Sequence, residues 1–231
     1  MEARKKSEAF YFEGDEARSL ESLRDSLKVS PDSVKSPELG GRILETGVKS
    51  IDEALNGGFP SGSLIELVGR KSSGVTSLAA SLAASVSNEG GEVAWIDPQN
   101  TLDPQSLLEV GVDTHRFLWI RPHGHRLKHS MRATETVLDG GGFGLVVVDL
   151  LERKKTQKNL PMSVWVRLAK RLEHRNTTCV ILRNYPGVSS AQYRLRFLGE
   201  GLGQVSVELL KAHKRAVYSQ PVVMPFAPPF D

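Results

Sequence analysis

Nine small and polar residues, Gly69-Arg70-Lys71-Ser72-Ser73-Gly74-Val75-Thr76-Ser77, join an apolar strand pattern (Ser63–Val68) to an Ala/Leu/Ser helix pattern (Thr76–Ser87). Strand, glycine-bounded loop and helix in this order make the setting of a phosphate-binding loop, G-x-x-x-x-G-K-[ST]. Gly69, Gly74 and Thr76 fit that pattern, and the lysine position is Val75. Backbone N–H groups at the helix start can still cradle a phosphate. Thr76 can still hold Mg²⁺. The missing lysine would neutralise the β- and γ-phosphates and the charge that develops during transfer. Arg70 and Lys71 are cations nearby, but they lie in the loop rather than at the helix start, a poor geometry for replacing it.

Strand and helix patterns alternate from Gly41 onward. Ser50-Ile51-Asp52-Glu53 reads as a capping box opening a short helix that Asn56-Gly57-Gly58 closes. Strands are expected at Glu92–Asp97, Phe117–Ile120, Leu145–Asp149 and Thr178–Leu182. Helices are expected from Asp103-Pro104 to about Gly111, at Leu127–Leu138 and at Met162–Arg175. After that the helices stop, and Ala191–Leu198, Gln204–Leu210 and Ala216–Ser219 read as antiparallel strands. The expected fold is α/β: a mostly parallel sheet with helices on both faces and an antiparallel C-terminal edge. Residues 1–40 read as an N-terminal arm, with a short amphipathic helix on Leu20, Leu23 and Leu27 and a Pro/Ser linker. Residues 41–219 read as the core and 220–231 as a tail.

Charge is unevenly spread. Residues 61–113 carry 2 basic and 7 acidic side chains, whereas residues 114–215 carry 19 basic and 7 acidic. A nearly neutral chain, net +3, therefore contains a strongly basic half. That asymmetry points either to a polyanion or acidic protein partner or to a solvated basic surface. No apolar run approaches the ~18 residues of a membrane span. Met1–Asp15 has charges but no apolar core after them, and the single cysteine excludes an internal disulfide. A cytoplasmic protein is expected. His123, His125 and His129 lack a nearby Cys or acid to complete a metal site, so no metal is expected. Cys179 lies in an apolar strand and reads as core.

Beyond the loop, "LETGVKSIDEALNGGFPSGSLIELVGRKSSGVTS", "WIDPQNTLDPQSLLEVGVD" and "GLVVVDL" resemble, in that order, the core of the RecA recombinases. The resemblance covers roughly residues 42–183 and implies a RecA-like fold, with Asp149 as the acid on the Mg²⁺ side. It also marks three departures. The loop lysine is Val75. The glutamate that activates the attacking water is Gln99, and an amide is no general base. The aromatic that stacks on adenine falls at Ser106. The set Gly69, Lys71, Ser73, Gly74, Thr76 and Asp149 thus reads as a vestigial nucleotide site. The expectation is a pseudo-ATPase without catalytic residues or cofactor. The alternative is a DNA-dependent ATPase of the RecA/KaiC superfamily that uses ATP and Mg²⁺ with a relocated cation.

The segment "SSAQYRLRFLGEGLGQVSVELLKAHKR" resembles the end of ImuA-type (SulA-related) proteins, with matches at Ala191, Arg194, Leu195, Arg196, Leu209, Leu210 and Lys211. That resemblance implies an accessory role in the DNA damage (SOS) response and mutagenic translesion synthesis. The implied partners are RecA and an ImuB-type Y-family protein. The RecA likeness also implies two DNA-facing loops. The first, Leu150–Leu160, holds Arg153, Lys154, Lys155 and Lys158; the second, Arg183–Ser190, offers Arg183 for charge and Tyr185 to stack on a base. Lys211, Lys214 and Arg215 extend the patch or cap a strand end. Nonspecific phosphate contacts to DNA are expected, not strand exchange. Phe10, Tyr11 and Phe12, with Leu20, Leu23 and Leu27, form an arm that can anchor a partner, join a second copy or fold back on its own body.

Overall fold

The computed structural model describes residues 10–12, 42–122, 126–151, 160–201, 204–212 and 222–225. The expected helix around Leu20, Leu23 and Leu27 and the strand Ala216–Ser219 lie outside these. So do His123, His125, Arg153, Lys154, Lys155, Lys158, Lys214 and Arg215.

Among the described residues there are eleven strands: β1 (Phe10–Phe12), β2 (Ile43–Leu44), β3 (Phe59–Pro60), β4 (Leu64–Val68), β5 (Glu92–Ile96), β6 (Phe117–Ile120), β7 (Phe143–Asp149), β8 (Thr178–Arg183), β9 (Tyr193–Gly201), β10 (Gln204–Lys211) and β11 (Val222–Pro225). The helices are α1 (Lys49–Leu55), α2 (Val75–Asn88), α3 (Pro104–Glu109), α4 (Arg126–Gly140) and α5 (Met162–Leu172). Nine strands make one sheet in the order β1-β6-β5-β7-β8-β4-β9-β10-β11, and β2 and β3 form a separate antiparallel pair. The first seven are mutually parallel. β10 and β11 run antiparallel at the far edge. The α/β fold with its antiparallel C-terminal edge is thus the one expected.

The reason is visible in the strand composition. Leu145–Val148 and Thr178–Leu182 are apolar without alternation, and both their faces are buried. Each face therefore needs a helical layer. Ile51 of α1, the apolar side of α2 and Leu107 of α3 pack on one face with Ile65, Leu67, Trp95 and Val147. Met131, Val137 and Leu138 of α4 and Trp165, Leu168 and Leu172 of α5 pack on the other with Ile96, Val148 and Ile181. Cys179 is fully buried there, and burial pushes its thiol up to about 12.

Local details differ from expectation in two places. Ser50 does not cap α1, because the helix starts at Lys49 and Ser50 is already in its first turn. Instead the Thr46 N–H donates to Asp52 Oδ1 at 2.8 Å, and the Val48 N–H donates to Thr46 Oγ1 at 3.2 Å. At the chain ends, Phe10–Phe12 pairs in parallel with β6 and Val222–Pro225 pairs with β10. Parts of the presumed arm and tail are thus the two edges of the main sheet. Each is only three or four residues long, too short for a period-2 pattern to register. Asp103 caps α3 as expected, accepting the Ser106 N–H at 3.1 Å, with Pro104 at the first helical position.

Candidate functional site

The loop 69–74 leaves the carboxyl end of β4, on the sheet edge where ligands of open α/β sheets bind, and the parallel strands β5 and β7 end on that same edge. The loop turns through Ser72 (φ 64°) and Gly74 (φ 87°), and Gly74 precedes the 14-residue helix α2. The Gly69 N–H donates to the Arg183 carbonyl of β8 at 2.9 Å, tying the loop to the neighbouring strand. Gly69 is required here: a Cβ would collide with Ser73 Oγ, with Val75 Cγ2 and with Phe197 of β9. Val75 is buried, 1% exposed, and turned against Gly69. Ser73 is buried as well, and among the described residues its hydroxyl has no hydrogen-bond partner. Arg70, Lys71 and Thr76 are exposed.

Two buried acids stand at the carboxyl ends of β5 and β7. Asp97 follows β5 and is fully buried; its carboxylate accepts the N–H groups of Gln99 (3.2 Å), Thr101 (2.9 Å) and Leu102 (2.9 Å). Asp149 ends β7, is 3% exposed and accepts the Leu151 N–H at 2.9 Å. Burial pushes the Asp149 carboxyl up to about 7, and the Asp97 charge adds to that shift against the pull of the Leu151 N–H. Among the described residues neither acid makes an ion pair. The structure thus places Gly69, Ser73, Gly74 and Thr76 in one loop and helix start, with Lys71 at the exposed turn, and Asp149 at the end of β7, with β8 between β7 and β4. Ser106 spends its hydroxyl on Asp103, 2.6 Å away.

The second loop departs from expectation. Arg183 is 2% exposed; its guanidinium lies 5.9 Å from the Trp165 ring, and Gly187 passes so close that a Cβ there would strike it. Its charge is turned into the protein, so Arg183 is not a surface DNA contact as expected. It ends a strand buried on both faces, and its side chain follows the face that α5 covers. Tyr185 remains exposed, and Lys211 is half-buried at the end of β10.

The sequence reading missed what holds this loop. Glu66, in the middle of β4, is fully buried. Its carboxylate accepts the N–H groups of Gly187 (2.7 Å) and Val188 (3.0 Å) and pairs with Arg194 of β9. Arg194 also donates to the Val188 carbonyl at 3.0 Å. A lone carboxylate inside an otherwise apolar strand was the available signal, since such a charge must find partners when buried.

Among the described residues no group of three His, Cys, Asp or Glu side chains is placed to hold a metal ion. No described helix is long and apolar enough to cross a membrane.

Comparison with known proteins agrees with this geometry. The chain is 32% identical over 144 residues to Protein RecA of Caulobacter vibrioides, covering 59% of this chain and 40% of the relative. It is 32% identical over 114 residues to Protein RecA of Bifidobacterium longum, covering 49% and 28%. It is 34% identical over 108 residues to Protein RecA of Acidothermus cellulolyticus, covering 46% and 31%. The chain therefore spans well under half the length of these relatives. Residues 35–160, more than half of the chain, match the RecA N-terminal domain. With the parallel sheet, the glycine-bounded loop before α2 and the acid ending β7 all in place, the chain belongs to the RecA N-terminal domain family.

Proposed function

We propose that this chain is a non-catalytic RecA-fold accessory protein of the DNA damage response. In this reading it acts in mutagenic translesion synthesis by binding RecA, an ImuB-type polymerase subunit or both, and touches DNA only through nonspecific phosphate contacts. The observation that carries the reading is Val75, buried against Gly69 where the fold calls for a cation. The RecA fold implies a nucleoside triphosphate with Mg²⁺. The backbone turn before α2 suits a phosphate, but the side chains do not suit its transfer. No lysine stands at the helix start, and Gln99 cannot take a proton from water. The partner assignment is supported by the ImuA-like segment, which folds as the hairpin β9–β10 and carries Arg194, Leu195 and Arg196 opposite Lys211, Leu209 and Glu208 respectively.

A RecA-like protomer without a nucleotide cycle would cap or dilute a RecA filament. Calorimetry with ATP and Mg²⁺ at high protein concentration is expected to show no heat. ATP hydrolysis that Asp149→Ala abolishes would instead establish the ATPase alternative. Pull-downs with purified RecA and an ImuB-type protein are expected to retain at least one of them; retention of neither overturns the partner assignment.

A further inference from the structure

Charge is unevenly divided between the two helical layers. The layer of α1, α2 and α3 holds one basic residue, Lys49, against the acids Asp52, Glu53 and Glu109; α2 has no charged residue. The opposite layer, α4 and α5, holds six basic residues against two acids, Glu135 and Asp139. Both acids are already engaged. Arg167 lies 3.2 Å from Glu135, and Arg171 lies 2.9 Å from Asp139 and 3.7 Å from Glu135. Lys128, Arg132 and Lys170 are exposed, and among the described residues none of the three has an ion pair.

The order of charge along α4 runs against helix stability. Lys128, Arg132, Glu135 and Asp139 recur at spacings of four, three and four and so lie on one stripe. The cations occupy the amino-terminal half and the acids the carboxyl-terminal half. The helix macrodipole favours the reverse, by roughly 0.3–1 kcal/mol per exposed charge near an end. The stripe thus adds side-chain charge to the positive end of the helix instead of cancelling it. Lys128 and Arg132 stand about 6 Å apart along the axis at 1.5 Å per residue. The three cations have no exposed aromatic residue among them on these helices, so the face offers charge without a stacking platform.

We propose that the outer face of α4 and α5 binds the phosphate backbone of nucleic acid without reading its sequence, through Lys128, Arg132 and Lys170. This rests on the DNA-contact part of the reading above and moves that contact away from buried Arg183. It stands apart from the RecA and ImuB assignment.

The test is fluorescence anisotropy of the full chain with a labelled duplex of ~30 base pairs across a salt series, with polyglutamate as competitor. The parent is expected to bind more weakly as salt rises, because phosphate contacts release counterions. Lys128→Gln/Arg132→Gln/Lys170→Gln is expected to lose roughly tenfold in affinity and to reduce the log–log salt slope by about two to three, at ~0.9 per lost contact. Lys49→Gln on the opposite layer is expected to change neither. Unchanged cooperative melting of the triple variant establishes that the loss is not unfolding. The proposal is overturned if the triple variant binds with the parent's affinity and slope, if the parent does not bind duplex at low salt, or if the parent binds polyglutamate as tightly as DNA. Each of these results leaves the RecA and ImuB pull-downs to be judged on their own.

Discussion

Glu66 and Arg194 stand directly opposite each other on adjacent parallel strands, and their ion pair locks the loop that leaves β8. The Glu66 carboxylate also holds the N–H groups of Gly187 and Val188. Glu66 lies three residues before Gly69, so one strand carries both the anchor of this loop and the start of the phosphate loop. The cluster replaces solvent for a carboxylate with no exposure of its own.

Removing one partner should therefore cost far more than removing both. Arg194→Ala is expected to destabilise the fold by roughly 3–5 kcal/mol, because it strands a buried charge. Glu66→Leu/Arg194→Met should recover much of that loss. Urea denaturation measures both. Hydrogen exchange at the Gly187 and Val188 amides should speed up in every variant that lacks Glu66. Equal losses in the single and double variants would show that the pair is held by packing alone.

Asp149 makes stability depend on pH in an unusual sense for a carboxylate. The folded form keeps its proton up to about 7, whereas the unfolded chain releases it near 3.8. The folded state thus binds more protons between these values, and stability falls as pH rises through that window. Asp149→Asn removes the penalty and keeps the shape. At pH 8 the variant is expected to exceed the parent by a few kcal/mol, at most about 4, and the two should converge as pH falls toward 4. Parallel stability curves from pH 4 to 8 would show that Asp149 is ionised throughout.

Gly69 and Val75 test the packing of the loop. Gly69→Ala sets a methyl against Ser73, Val75 and Phe197 and is expected to cost roughly 1–3 kcal/mol through overpacking. Val75→Ala on the Gly69→Ala background should return part of that stability by opening space. Thermal melts of the two single variants and the double variant read this coupling. Strict additivity would mean that the two side chains do not meet.

Much of the fold was legible because its signals are local. Runs such as Leu145–Val148 announce strands buried on both faces, and Asp103-Pro104 announces a helix start. The loop 69–77 is likewise a local pattern, so the absence of its lysine could be read directly from Val75. Chain order also placed Asp149 at the end of a strand. The partners of Glu66 were not legible, because Arg194 lies 128 residues away and only parallel pairing of β4 with β9 brings them together. The direction of Arg183 was hidden for a similar reason: a strand's last side chain is exposed or buried according to what covers that face, and α5 covers it. The edge strands Phe10–Phe12 and Val222–Pro225 gain their hydrogen bonds from distant β6 and β10, not from any periodicity of their own.

The sequence by itself determined the alternation of strands and helices, the family likeness and the missing lysine, because each depends on neighbours along the chain. Only the tertiary structure decided which charges are buried in pairs, which acid is held near its neutral form and on which side of the sheet each helix lies. Those outcomes depend on burial and on distances between elements far apart in the chain, where desolvation and Coulomb interactions act.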